Sequence, residues 1–164
     1  MKQTVRPRGG IIIIITFVVA LALTILPLPE WLVAFRPEWV ALTLIYWSMA
    51  LPQRVGVISG FGLGLLLDTL KGAVLGQHAL ALAIIAYLAH KVHQQVRVYP
   101  MWQQALSIMG LLLLYQLLVM WVNGIIGVKS LSWLYWLPSL SSTLLWPWLY
   151  LILRDIRRQF GVKG

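Results

Sequence analysis

The chain has 164 residues, 60% of them hydrophobic, with four acids against thirteen Lys and Arg and a formal charge of +9. A soluble core of this size needs a polar shell that this composition cannot supply, so the apolar surface has to be buried in lipid by a bundle of transmembrane helices. Cysteine is absent, which excludes disulfides, thiolate metal ligands and a cysteine nucleophile.

The length predicts one transmembrane domain over 1–164, framed by cytoplasmic tails at 1–10 and 154–164. The first apolar segment runs from Ile11 to Leu26 and stops at Pro27 and Pro29. Lys2, Arg6 and Arg8 before it, and the small-x-small pattern Ala20-Leu21-Ala22, give it the look of a signal peptide. Leu23-Thr24-Ile25-Leu26 follows instead of a polar mature chain, so the segment is read as an uncleaved first helix. The second segment runs from Trp39 to Leu51, between Pro37 and Pro52, and the third from Val55 to Leu67. Both fall short of the roughly twenty residues of a straight crossing. They are read as helices packed against neighbours, as crossings where the bilayer is thinned, or as a broken re-entrant pair. The fourth segment covers Ala73 to Ala89, the fifth Trp102 to Val122 and the sixth Leu131 to Leu153. Pro138 and Pro147 predict kinks in the sixth, with Ser139, Ser141, Ser142 or Thr143 helping to satisfy the freed carbonyls. No repeat relates the first three segments to the last three, which weakens an inverted-repeat transporter.

The basic residues arbitrate topology. With a cytoplasmic N-terminus and six crossings, ten lie inside (Lys2, Arg6, Arg8, Arg54, Lys91, Arg97, Arg154, Arg157, Arg158 and Lys163) and three outside (Arg36, Lys71 and Lys129). That is the direction of the positive-inside rule, and it accounts for a charge that on a soluble chain would suggest nucleic acid. Tryptophans near segment ends, Trp31, Trp39, Trp102, Trp121, Trp133 and Trp136, read as an interfacial belt that anchors the bundle.

The candidate site residues cluster around the third segment. Gly56, Gly60 and Gly64 recur every four residues, a spacing that lets helix backbones approach closely; packing within the chain is preferred to docking of a partner's helix. Asp68 continues that spacing. It adjoins the interior of an apolar segment, at a helix C-terminus where the macrodipole disfavours a negative charge. An interfacial pair with Lys71 is the plain alternative. Gly72, Gly76, Gln77 and His78 follow, a polar, glycine-rich turn that reads equally as a hinge or as a contact or ligand site. His90 and His93 share a face but lack a third ligand at metal spacing, and no nucleophile, base and acid can be assembled into a catalytic set. No cofactor is expected.

Several patterns, taken together and in order, resemble the rod shape-determining protein MreD family: Arg36-Pro37-Glu38-Trp39, Tyr46-Trp47, Leu51-Pro52-Gln53-Arg54-Val55-Gly56, Gly64-Leu65-Leu66-Leu67-Asp68, Gly72, Leu75-Gly76-Gln77-His78-Ala79-Leu80, Trp102-Gln103-Gln104-Ala105-Leu106 and Trp146-Pro147-Trp148. Glu38 stands where that family often has Asp or Asn, and Lys71 adds a charge to the turn. The resemblance implies a multi-pass protein of the bacterial inner membrane, both termini cytoplasmic, within the cell-elongation machinery. It implies MreC as partner and, through it, the actin-like MreB, the RodA glycosyltransferase and the elongation transpeptidase. It also implies an all-α fold of about six transmembrane helices, similar to the substrate-binding subunits of energy-coupling-factor transporters.

Two functions of different class follow. The first is a non-enzymatic scaffold that maintains rod shape by helping organise peptidoglycan synthesis. The second is a small-molecule-binding or transport subunit of the vitamin-transporter type, which needs several polar groups converging inside the bundle.

Overall fold

A chain without water around it has to satisfy its backbone polar groups internally, and helices do so within one segment. The computed structural model describes residues 8–33, 35–51, 55–72, 75–127 and 136–159. Among these residues lie seven helices and no strand: α1 (Arg8–Ile25), α2 (Glu30–Val33), α3 (Trp39–Ala50), α4 (Val57–Lys71), α5 (Gln77–Arg97), α6 (Met101–Ile126) and α7 (Leu137–Gln159). The six long helices match the six predicted segments; α2, a single turn after Pro29, is an addition. Among the described helices α6 is the one long and apolar enough by itself to cross a membrane, over Met101–Ile125.

The short α3 is the centre of the bundle. Every side chain from Val40 to Met49 is buried, and the helix packs against α1, α5 and α7. A helix apolar on all sides belongs in a core, which explains why twelve residues, about 18 Å of rise, suffice here. Helix α1 lays Ile13, Phe17, Ala20 and Thr24 inward at intervals of three and four, with Ile14, Val18 and Ile25 facing out. The Trp47 indole donates to Thr16 Oγ1 at 2.9 Å and ties α3 to α1.

Cross-helix contacts fix the directions. Gly60 faces Leu82 while Gly64 faces Ala79, so α4 and α5 are antiparallel. Gln77 reaches Val119 and Asn123, whereas Gln104 reaches Val96, so α5 and α6 are antiparallel. Ser139 meets Gln116 and Trp146 meets Gln104, which reverses α7 against α6. Thr24 meets Arg36 and Thr16 meets Trp47, which reverses α3 against α1. Helices α3 and α7 run together, since Glu38 meets Ser142 and Tyr46 meets Trp146 and Tyr150. Thus α1, α4 and α6 run one way, and α3, α5 and α7 the other.

Several expectations need correction. A re-entrant pair would pack α3 against α4, but the two barely touch; α4 packs chiefly on α5. The polar stretch after Ala89 is helical to Arg97, because Ala89 and Val96 carry the buried stripe of α5 onward. The inner parts of both expected tails are helical, since α1 begins at Arg8 and α7 runs through Gln159; residues 1–7 and 160–164 lie outside the described residues. Pro138 sits in the first turn of α7, where a missing N–H costs no helical hydrogen bond, so it is no source of a kink. Pro147 is interior and leaves the Thr143 carbonyl without its helical donor. The nearby hydroxyls are engaged elsewhere: Thr143 donates to the Ser139 carbonyl, Ser139 to Gln116, and Ser142 accepts from the Glu38 N–H.

The outer surface is apolar. Ile58, Leu75, Ile125 and Leu144 are each at least 70% exposed. Trp31, Trp102 and Trp121 are also exposed at helix ends, as a belt requires, while Trp39 is half-buried, Trp136 immediately precedes α7, and Trp133 lies outside the described residues.

Candidate functional site: a carboxylate at the junction of two helices

The junction of α4 and α5 is built by glycines at two levels. A Cβ added at Gly64 would stand 2.1 Å from Ala79 Cα, and one at Gly60 would stand 2.8 Å from the Leu82 carbonyl oxygen. The backbones therefore touch at these two positions, and no side chain larger than hydrogen fits without separating the helices. Gly56 is not part of this seam. It precedes the first residue of α4, and a Cβ there meets nothing within 4 Å. Gly62, on the other side of α4, is equally open.

The turn above the seam uses glycine for its backbone freedom. Gly72 ends α4 at φ +66° and Gly76 precedes α5 at φ +100°, both in the left-handed region that side chains disfavour. This pair of turns returns the chain so that the first residues of α5 face the last turn of α4.

Asp68 fills that space and is fully buried. Its Oδ2 accepts from the Gly76 N–H at 2.9 Å and from the Ala79 N–H at 3.4 Å, and its Oδ1 accepts from the His78 N–H at 2.8 Å. The same Oδ1 lies 2.7 Å from His78 Nδ1. A helix begins with N–H groups that have no partner in their own helix, and its N-terminus carries partial positive charge. Asp68 thus supplies from α4 the cap that α5 lacks in its own sequence, where the N-cap position is glycine. The objection that a carboxylate is misplaced at the C-terminal end of α4 is resolved in three dimensions: the dipole it answers is that of α5. Lys71 is exposed, and the side chain that meets Asp68 among the described residues is that of His78 rather than Lys71.

The cap continues into a polar layer. The His78 ring lies 6.2 Å from the Tyr115 ring. Gln77, also buried, donates to the Val119 carbonyl at 3.2 Å and to Asn123 Oδ1, which binds α5 to the last turns of α6. Gln116 accepts from Ser139, and the Glu38 N–H donates to Ser142 Oγ at 2.8 Å. These side chains of α4, α5, α6 and α7, with the start of α3, satisfy one another at one end of the bundle. Gln77 belongs to the turn singled out in the sequence, whereas Gln116 is not singled out there and Ser139 and Ser142 are read only as partners for carbonyls freed by proline; the sequence signal of all three is polarity at positions that would otherwise face a buried apolar stripe. His90 and His93, by contrast, lie at the far end of α5 with rings 5.5 Å apart, and no group of three metal-binding side chains occurs among the described residues.

An all-helical bundle with an apolar exterior, a polar end layer bonded to itself and a tight glycine seam defines the class: a helical membrane protein whose charged core residue serves helix packing. The particular family follows from comparison. The model of the rod shape-determining protein MreD family matches residues 8–156. The rod shape-determining protein MreD of Haemophilus influenzae is 34% identical over 143 residues, covering 87% of this chain and 88% of that protein. The chain belongs to the MreD family and is a membrane protein of the cell-shape machinery. No solved structure matches it.

Proposed function

We propose that the chain is a non-enzymatic scaffold of the bacterial inner membrane, crossing it six times with both termini in the cytoplasm. It binds MreC and, through it, acts with MreB, RodA and the elongation transpeptidase to organise peptidoglycan synthesis. The alternation of helix direction carries the topology, since six consecutive crossings require that α1, α4 and α6 oppose α3, α5 and α7. Lys91, Arg154, Arg157 and Arg158 then fall at the cytoplasmic end, as the charge rule asks. The two outward basic residues in the described structure have local reasons. Arg36 donates to the Thr24 and Leu26 carbonyls and so covers the C-terminal end of α1, and Lys71 lies in the last turn of α4, where the dipole favours a cation.

The internal satisfaction of the polar layer supports a scaffold over a transporter, because Asp68, Gln77, Gln116 and Ser139 are already engaged with protein groups. A larger cleft, about 310 Å³, lies among α1, α3 and α7 and is lined by aliphatic side chains with Trp39, Thr16 and Thr43. Thr16 and Thr43 donate to carbonyls of their own helices at 2.6 and 2.8 Å, so the cleft offers little to orient a polar vitamin. The test of the scaffold reading is affinity purification of the tagged chain from membranes in mild detergent. MreC should come with it. Turnover of a lipid-linked cell-wall precursor by the purified chain, free of RodA and the transpeptidase, would contradict the non-enzymatic part.

A further inference from the structure

We propose that a cleft between α3, α6 and α7, at the end of the bundle opposite Asp68, binds a phosphoryl anion, supplied by an anionic phospholipid headgroup or by free phosphate. The cleft holds about 50 Å³ and is lined by Tyr46, Met49, Ala50, Gln104, Tyr150 and Arg157. Ala50 is the last residue of α3, Gln104 lies in the first turn of α6 and Arg157 in the last turn of α7, so the cleft sits at the level where the helices leave the apolar layer. The C-terminal ends of α3 and α7 meet the N-terminal end of α6 there, and the full charge of the Arg157 guanidinium outweighs the partial charges of the helix ends and sets the sign of the site.

The chemistry is that of an anion site. Arg157 and two tyrosines, Tyr46 and Tyr150, line the cleft, and no carboxylate-bearing residue does. No hydrogen bond joins Gln104 to Arg157; its amide donates to the Val96 carbonyl at 3.3 Å and its oxygen accepts from the Trp146 indole at 3.2 Å. The carboxylate–imidazole contact of Asp68 with His78 is at the other end of the bundle. One turn earlier on α7, Arg154 keeps its Nε buried with no hydrogen-bond partner, a second guanidinium donor near the cleft. A guanidinium at a partly buried wall is stabilised by a bound oxyanion through paired, charge-assisted hydrogen bonds.

The walls are rigid. The Tyr46 and Tyr150 rings meet edge to face at 5.7 Å, and the fully buried Trp146 lies 6.4 and 6.0 Å from them. Such a wall preserves the cleft without a ligand, which lowers the ordering cost of binding. The room is far below the roughly 300 Å³ of a small-molecule pocket, so it fits an oxyanion and excludes a whole cofactor or sugar.

The test is native mass spectrometry of the purified full chain in mild detergent with equal phosphatidylglycerol and phosphatidylcholine. A second arm titrates lipid-free protein with inorganic phosphate, followed by phosphorus NMR. The topology proposed above decides only the leaflet, and binding in detergent is read independently of it. Wild type should retain phosphatidylglycerol over phosphatidylcholine, and Arg157→Gln should reduce that retention about tenfold, the scale of one charge-assisted hydrogen bond. Arg158→Gln, which removes the same charge from an exposed position, should change it by less than about twofold. Tyr150→Phe should give an intermediate loss with the fold intact, which keeps the test decisive if Arg157→Gln is poorly folded. Phosphate binding lost in Arg157→Gln, without lipid preference, would place the same site in the service of a soluble phosphate. Equal losses from Arg157→Gln and Arg158→Gln, or wild type that prefers neither lipid and binds no phosphate, would overturn the proposal.

Discussion

Asp68 and His78 are joined twice, once through the His78 backbone N–H at 2.8 Å and once through its imidazole Nδ1 at 2.7 Å, both at the same carboxylate oxygen. The other oxygen receives the Gly76 and Ala79 N–H groups. A single side chain at the end of α4 therefore organises the beginning of α5, and its removal strands several buried donors at once.

The first prediction concerns that carboxylate. Asp68→Leu leaves the donors unpaired in an apolar setting and should destabilise the bundle by about 3 kcal/mol. Asp68→Asn keeps one accepting oxygen for His78 but turns an amide NH₂ toward the Gly76 and Ala79 N–H groups, so its loss should be smaller but real. Thermal unfolding of purified protein in detergent should rank the variants wild type, Asn, Leu. Equal midpoints for all three would remove the cap from the list of stabilising features.

The second prediction separates the glycines. Gly64→Ala should be the most damaging alanine substitution, because its methyl group meets Ala79 backbone at 2.1 Å. Gly60→Ala, at 2.8 Å from a carbonyl oxygen, should be milder; Gly62→Ala should be neutral or gain up to about 1 kcal/mol in helix propensity, and Gly56→Ala, at the N-cap before the helix, should cost at most about 1 kcal/mol. Complementation of a rod-shape-deficient strain, with membrane levels checked by blot, should follow the same order. A Gly62→Ala defect as large as that of Gly64→Ala would argue against the seam.

The third prediction addresses Arg36. Its guanidinium covers the Thr24 and Leu26 carbonyls at the end of α1. Arg36→Leu removes a cap and should cost about 1 kcal/mol. Arg36→Lys should recover part of that loss, since an ammonium reaches one carbonyl at a time. Limited proteolysis of the segment between α1 and α3 reads the difference; unchanged cleavage in Arg36→Leu would contradict the role.

The fourth prediction is topological. The chain has no native cysteine, so single substitutions report cleanly. Lys71→Cys should react with an impermeant thiol reagent in intact spheroplasts, whereas Lys91→Cys and Gly164→Cys should react only after the membrane is opened. Labelling of Gly164→Cys in intact spheroplasts would reverse the orientation.

Much of this was legible in the sequence, and the failures are physical. The six long helices follow from apolar runs punctuated by prolines and glycines. The phase of Gly60, Gly64 and Asp68 followed from four-residue spacing. The same spacing also takes in Gly56, which lies outside the seam, because periodicity does not reveal that the helix begins one residue later. The partner of Asp68 was not legible: Lys71 is nearer in sequence, but only the return of the chain through Gly72 and Gly76 brings His78 to it. The extension of α5 was hidden by Gln94 and Gln95, polar residues on the exposed side of a helix whose buried side continues to Val96. The engagement of Gln116 with Ser139 and of Gln104 with Trp146 joins residues far apart in the chain, which single-sequence patterns do not pair.

Under the proposed scaffold function, the α4–α5 junction, locked by Asp68, would hold the chain in the form that binds MreC. The direct measurement is recovery of MreC with tagged wild type, Asp68→Asn and Asp68→Leu, purified from membranes at matched levels in cells scored for shape. Wild type should bring MreC and support rods, Asp68→Leu should lose both, and Asp68→Asn should fall between. Full MreC recovery and normal rods with Asp68→Leu would contradict it.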